Sequence, residues 1–232
     1  MFMSFIKDID NIIACNGGLN YIAHTKYIEL CKQNFSKTQK IRDFFSDYIV
    51  NYLYKEDRRA GNSLYHENGF TKISLWKSEN TAQLRLHIWP NVQYSDTGIH
   101  SHRWDLSSYV ISGTLHAWNY RQMSPETTMP KHNLFRIYDA VAGNQPFEDA
   151  GHAGLKVSAA YTVSDGEGHY LDFETMHKIH KSGGRKAFTL MLSGPEQSPY
   201  SFISHDETFV PSGREYLTPQ MIEQILMSVE LD

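Results

Sequence analysis

The chain has 232 residues, with 22 basic and 26 acidic side chains and a formal charge of -4, a length that suits one well-packed domain with appended helices. No basic block with interleaved aromatics is present, which argues against a nucleic-acid partner. The first ten residues lack the basic start and apolar core of a secretion signal, and no run of about 18 apolar residues follows, so a cytoplasmic protein without a membrane partner is expected.

Residues 1–60 carry helical periodicity. Phe5, Ile9, Ile12 and Ile13 recur at intervals of three and four, Tyr21, Ile28 and Leu30 do so less cleanly, and Phe44, Phe45, Tyr48, Ile49 and Leu53 resume the pattern. Two or three amphipathic helices are predicted, with Asn16-Gly17-Gly18 ending the first and Ser36-Lys37-Thr38-Gln39 capping the third. They read as a layer over one face of the remaining chain. A lid or dimerisation arm is the other role open to them, so the expectation accommodates a homodimer. Cys15 and Cys31, the only cysteines, fall in this part and indicate no disulfide framework. Lys55-Glu56-Asp57-Arg58-Arg59 reads as a solvated connector.

Residues 61–232 are patterned for strands. On Gln83-Leu84-Arg85-Leu86-His87-Ile88-Trp89, period-two alternation places Gln83, Arg85, His87 and Trp89 on one face and the aliphatic residues on the other. An ordinary half-buried strand would expose the polar face. A barrel around a polar ligand would turn it inward, with the leucines beneath the helices, and this second arrangement makes Arg85, His87 and Trp89 a substrate-binding wall.

Next comes Gly98-Ile99-His100-Ser101-His102-Arg103-Trp104-Asp105. Two histidines at i and i+2 on extended backbone point to one side. A third imidazole from a distant strand would complete a facial triad for a divalent metal with open positions for substrate. Candidates are His177, His180 and His87; His177 and His180 are at odd spacing and cannot both enter a barrel from one strand. The run Ser107–Ser112, Gly113 and Thr114–Tyr120 reads as strand, turn, strand, and so does Gly166–Ile179, Gly183-Gly184 and Ala187–Leu192. Between these pairs lies an insertion at about 121–154, in which Leu134–Tyr138 is expected to pair with Lys156–Val163. His132 and His152 within it read as exposed loop residues, and His116 and His169 as hydrogen-bonding or surface histidines. Thr218-Pro219 opens a closing helix through Val229.

These two histidine-bearing hairpins resemble the motifs of the cupin superfamily over roughly residues 66–200: His100, His102 and Gly113 fall on the first motif and His177 on the second. The resemblance implies a mainly β protein, a cupin-type double-stranded β-helix (jelly-roll barrel) with an N-terminal helical layer and a C-terminal helix, and it selects His177 as the third metal ligand. Where many cupins place a glutamate ligand this chain has Leu106, with Ser107 next to it, which leaves a three-His site. The strand order is similar to that of the cysteine dioxygenase group. In that group an arginine that pairs with the substrate carboxylate falls at Lys72, a catalytic His and Tyr fall at Met191 and Ser193, and some members carry a cross-linked cysteine near Ser107. The resemblance is therefore one of scaffold and metal site, and cysteine is not the expected substrate.

Three neutral imidazoles would leave a divalent ion its full charge, suited to an anionic substrate and, for Fe(II), to dioxygen. Arg103 or Lys72 would provide an electrostatic partner for the substrate. Asp105 is expected either to accept an N–H from a liganding imidazole or to cap backbone amides. The function expected is a mononuclear non-haem iron dioxygenase acting on a small polar or amphiphilic metabolite. The alternative is a non-redox metal cupin, an isomerase or lyase, or a small-molecule binding module. Nickel, zinc or copper could replace iron in purified protein.

Overall fold

The opening helices form where apolar side chains recur on one face and end where glycine permits a left-handed turn. In the computed structural model, which describes all residues except 56–60, 67, 80–81, 92–93, 125–130, 139–145, 183, 206–213 and 230–232, α1 (Phe2–Cys15) buries Phe2, Phe5, Ile6, Ile9 and Ile13. It stops at Gly17 and Gly18, whose φ angles of 67° and 131° suit residues without a Cβ. α2 (Tyr21–Phe35) is capped by Asn20, whose side chain accepts from the Ala23 N–H at 3.0 Å. The cap predicted for the third helix is not made. Ser36 instead closes α2, and α3 (Thr38–Tyr48) starts from Lys37 without a side-chain cap before a π-helical turn, Ile49–Leu53. Most of the predicted charged connector lies outside the described residues.

The strands are β1 (Leu64–His66), β2 (Phe70–Lys77), β3 (Gln83–Trp89), β4 (Tyr94–Asp96), β5 (Trp104–Ser112), β6 (Thr114–Met123), β7 (Lys131–Tyr138), β8 (Phe147–Ser164), β9 (Gly168–Leu171), β10 (Met176–Ser182), β11 (Ala187–Glu196), β12 (Tyr200–His205) and β13 (Glu215–Tyr216). They form two curled antiparallel sheets in the orders β13-β1-β2-β3-β11-β5-β9 and β12-β7-β8-β6-β10-β4, the jelly-roll barrel that the two histidine motifs imply. The chain closes with α4 (Pro219–Met227), capped as predicted by Thr218, which accepts from the Met221 N–H.

Alternation decides what each face of the first sheet meets. Ile73, Leu75, Leu84, Leu86, Ile88, Phe188, Leu190 and Leu192 belong to one buried cluster with α1 to α4, so the helices cover the sheet's outer face. Register places Lys72 opposite His87, and Ser74 and Met191 opposite Arg85, on the other face. The β3 strand thus has its leucines under the helices and its polar residues inside the barrel. Gly113, between β5 and β6, has φ of 97°, and a Cβ there would lie 2.5 Å from the Ala187 Cβ; the turn requires glycine for both reasons.

The insertion differs in register from the expectation. β7 pairs with the first half of β8, with Asn133 opposite His152 and Arg136 opposite Glu148, while the segment from Gly154 to Ser164 pairs with β6. β8 is 18 residues long and serves two partners in turn, which period-two alternation alone does not reveal. His132 is correspondingly half-buried in β7, its Nδ1 at 3.1 Å from Ser204 Oγ, rather than in a loop. No helix among the described residues is long and apolar enough to cross a membrane.

Leu86 is fully buried between the helical layer and the sheet. Leu86→Ala is expected to cost about 2–5 kcal/mol of unfolding free energy, through lost transfer energy and a cavity that the helices cannot close, as read from the denaturant midpoint.

Candidate metal centre

The centre is assembled by backbone pairing between chain segments far apart in sequence. The His100 N–H donates to the His177 carbonyl at 2.9 Å and the His177 N–H to the His100 carbonyl at 2.7 Å, an antiparallel bridge that sets both side chains on one side. Thr97 extends the contact: its hydroxyl oxygen accepts from the Ile179 N–H at 3.0 Å. On the other flank, Ser101 exchanges backbone and hydroxyl hydrogen bonds with Phe202 of β12, both at 2.8 Å.

His102, two residues beyond His100, joins the same side. Ring centroids of His100, His102 and His177 lie 4.5 to 5.0 Å apart, and one ring nitrogen from each falls within 4.8 Å of the others. The Nε2 atoms of His102 and His177 are 2.9 Å apart. Two imidazole nitrogens bound at about 2.0–2.1 Å and at right angles to one ion would be separated by about 2.9 Å, so this pair fits a shared divalent metal. The His100 Nδ1 lies 3.3 Å from the Gly98 carbonyl, an acceptor that favours the Nδ1–H tautomer and leaves Nε2 for a metal. Burial pushes all three imidazoles below their ordinary range, and for His102 the neighbouring His100 ring and the Arg85 guanidinium lower it further. The rings are therefore neutral at pH 7 and their lone pairs are available.

Asp105 does something other than orient an imidazole. Its carboxylate accepts from the Tyr170 hydroxyl at 3.0 Å and from the Phe173 N–H at 2.9 Å. Both partners precede β10, so Asp105 ties the chain just after His102 to the turn that delivers His177. Of the two roles weighed for it from sequence, the backbone cap is the one its contacts match.

The centre opens into a chamber of about 430 Å³ whose wall includes Lys72, Arg85, His87, Arg103 and Trp104. Arg85 is 8% exposed, with its Nη2 donating to Gln83 Oε1 at 2.6 Å, its guanidinium 4.8 Å from the Trp104 ring and no partner for Nε among the described residues. Arg103 forms an ion pair with Glu196 at 2.6 Å, which neutralises it locally. His87 packs against Phe70 at 4.6 Å, and its Nε2 has no hydrogen-bond partner among the described residues. Burial, with Arg85 next in effect, keeps it well below its ordinary range and neutral.

Two sequence candidates lie away from the chamber. Trp89 shares a face with Arg85 and His87 but does not line the chamber; it is buried in an apolar cluster with Phe70, Leu115, Ala117, Ile179 and Ala187, of which Phe70 reaches the chamber. His180 is paired opposite His116 on the other face of β10 from His177, and His87 is outside the three-His group. His169, read as a hydrogen-bonding or surface residue, is buried, with Nδ1 unpartnered and its pKa pushed by burial to about 4. The sequence reading missed His66, which lines the chamber and stacks on Phe70 at 4.6 Å, and gave Trp104 no role. No local pattern marks His66; Trp104 could have been found by the alternation that continues from His100 and His102.

No protein-family model and no curated protein matches the sequence. Solved structures give distant likenesses. Hydroquinone 1,2-dioxygenase in complex with Cd2+ and 4-hydroxybenzonitrile is 10% identical with a TM-score of 0.34, over 53% of this chain and 62% of that one. A cupin superfamily protein from Desulfitobacterium hafniense is 10% identical with a TM-score of 0.33, over 56% of this chain and 82% of that one. Hydroquinone 1,2-dioxygenase from Sphingomonas sp. TTNP3 with 4-hydroxybenzoate bound is 9% identical with a TM-score of 0.36, over 65% of this chain and 77% of that one. The chain therefore spans less than two thirds of the first of these.

His100→Ala, His102→Ala and His177→Ala are each expected to lose most bound divalent metal in elemental analysis, while His180→Ala keeps it and all four variants stay folded; stoichiometric metal in His177→Ala would overturn the ligand set. The metal-free protein should also be acid-sensitive. His66 at about 3 and His169 at about 4 are depressed from 6.5 by burial. Above 6.5 both states are neutral and stability is complete; as pH falls below it, the unfolded chain takes up protons that the folded one refuses, and stability declines toward pH 3–4. Denaturant midpoints should fall from pH 7.5 to 4.5, less steeply in His169→Asn.

Proposed function

We propose that the protein is a metal-dependent cupin enzyme, a mononuclear non-haem iron dioxygenase acting on a small polar or amphiphilic metabolite. The observation that carries the metal assignment is the convergence of three imidazoles, with no carboxylate among them, two of which, His100 and His102, line a polar chamber. A divalent ion held there would supply Lewis acidity and, as Fe(II), the means to activate dioxygen as co-substrate.

The chain's own groups would do the rest. Lys72, Arg85 and His87 share the chamber face of β2 and β3 and would hold and orient the substrate beside the triad. His87, neutral and with a free Nε2, can exchange a hydrogen bond with a ligand hydroxyl or carbonyl. Arg103 would keep the chamber mouth ordered through Glu196 and would stack on Trp104, 5.2 Å away, rather than take the substrate alone. Asp105 would act by placing His177, so its role is positioning rather than proton transfer.

A non-redox reading, as isomerase, lyase or binding module, is the competitor. Met191 and Ser193, where the cysteine dioxygenase group has its catalytic His and Tyr, count against thiol oxidation, while the want of an evident base counts against an isomerase.

Anaerobic protein loaded with Fe(II) and treated with nitric oxide is expected to give the spin resonance of a high-spin adduct, altered by the true class of substrate. A fully loaded sample that forms no adduct would favour the non-redox alternative. Asp105→Ala is expected to weaken metal affinity about tenfold or more while His100→Ala and His102→Ala abolish binding; equilibrium titration with Co(II) measures the difference.

A further inference from the structure

We propose that Arg85, backed by the Trp104 indole, is a receptor for a carboxylate on the ligand, so that the chamber selects small organic acids. The proposal rests on the metal-centre reading for its location alone.

Arg85 is more than nine-tenths buried, yet its partners among the described residues are the neutral Gln83 amide and the face of Trp104, with no carboxylate. Buried guanidinium groups are ordinarily paired with acids, because removing an unpaired charge from water is costly. The acid nearest in kind, Glu196, is committed to Arg103. Two N–H donors on this wall, Arg85 Nε and Trp104 Nε1, have no acceptor among the described residues.

Both unmatched groups are donors, and a ligand that satisfies both must present acceptors. A planar carboxylate can accept from the guanidinium edge with one oxygen and from a neighbouring N–H with the other, gaining charge-assisted bonds to donors that are themselves buried. Lysine would supply charge without the planar edge. Phe70, Met191 and Phe202 on the same chamber provide apolar surface for the body of such an acid.

The test is calorimetric titration of metal-free wild-type protein with benzoate, the neutral isostere benzamide, and phenyl phosphate. Benzoate is expected to bind at least tenfold more tightly than benzamide, and to shift the Trp104 indole N–H resonance, identified by its loss in Trp104→Phe. Arg85→Gln should abolish the preference and Arg85→Lys should keep part of it. Equal binding of benzoate and benzamide, or a benzoate preference that survives Arg85→Gln, overturns the proposal. Tighter binding of phenyl phosphate overturns the carboxylate assignment. Should Arg85→Gln not fold, the wild-type preference and the Trp104 shift decide the matter. His102→Ala separates the two readings: it should retain the benzoate preference whatever becomes of its metal, so a failed metal assignment leaves the receptor tested in its own right.

Discussion

The reciprocal hydrogen bonds between His100 and His177 determine more of this molecule than their length suggests. Through them the segment preceding β5 is joined to β10, and so the first sheet is closed against the second at the place where the imidazoles meet. Side-chain direction follows from backbone pairing. Opposed residues of an antiparallel bridge point to one side, and His102 follows His100 by the strand period. Asp105 and Thr97 hold the same two segments from either end, one through the Phe173 amide and the other through Ile179.

Around this seam the barrel is asymmetric in polarity. The outer face of the first sheet is aliphatic and lies beneath four helices, where Phe2, Phe5, Phe35 and Phe44 pack edge to face at 4.9 to 5.4 Å. The helical layer therefore bears the hydrophobic burden that a barrel interior usually shares. With that core on the outside, the inner wall can carry Lys72, Arg85 and His87 without the sheet losing its packing. Their desolvation costs free energy, as the depressed His87 and the fall of Arg85 to about 10 both register. Such expense is usual where a ligand supplies the missing partners.

Trp104 links the two halves of the chamber. It lies between two guanidinium groups, 4.8 and 5.2 Å from its centroid, and within 6.2 Å of the His102 ring. Arg103 is paired with Glu196, while Arg85 has no carboxylate partner among the described residues.

Local periodicity determined much by itself. It marked the helices and their Gly17-Gly18 break, the alternation that turns Arg85 and His87 away from the leucines, and the His100-His102 pair, because each depends only on residues a turn or a pleat apart. The resemblance carried by His100, His102, Gly113 and His177 added the barrel and the third imidazole. Tertiary structure alone decided which distant segments meet: that Asp105 reaches Tyr170 and Phe173, that Glu196 takes Arg103, that β8 changes partner at Gly154, and that Trp89 is sealed in an apolar layer while His66 enters the chamber. Period-two alternation assigns a side chain to a face, but its depth along the barrel and its partner across it come from strand register and sheet curvature, which are set by contacts between residues far apart in the chain.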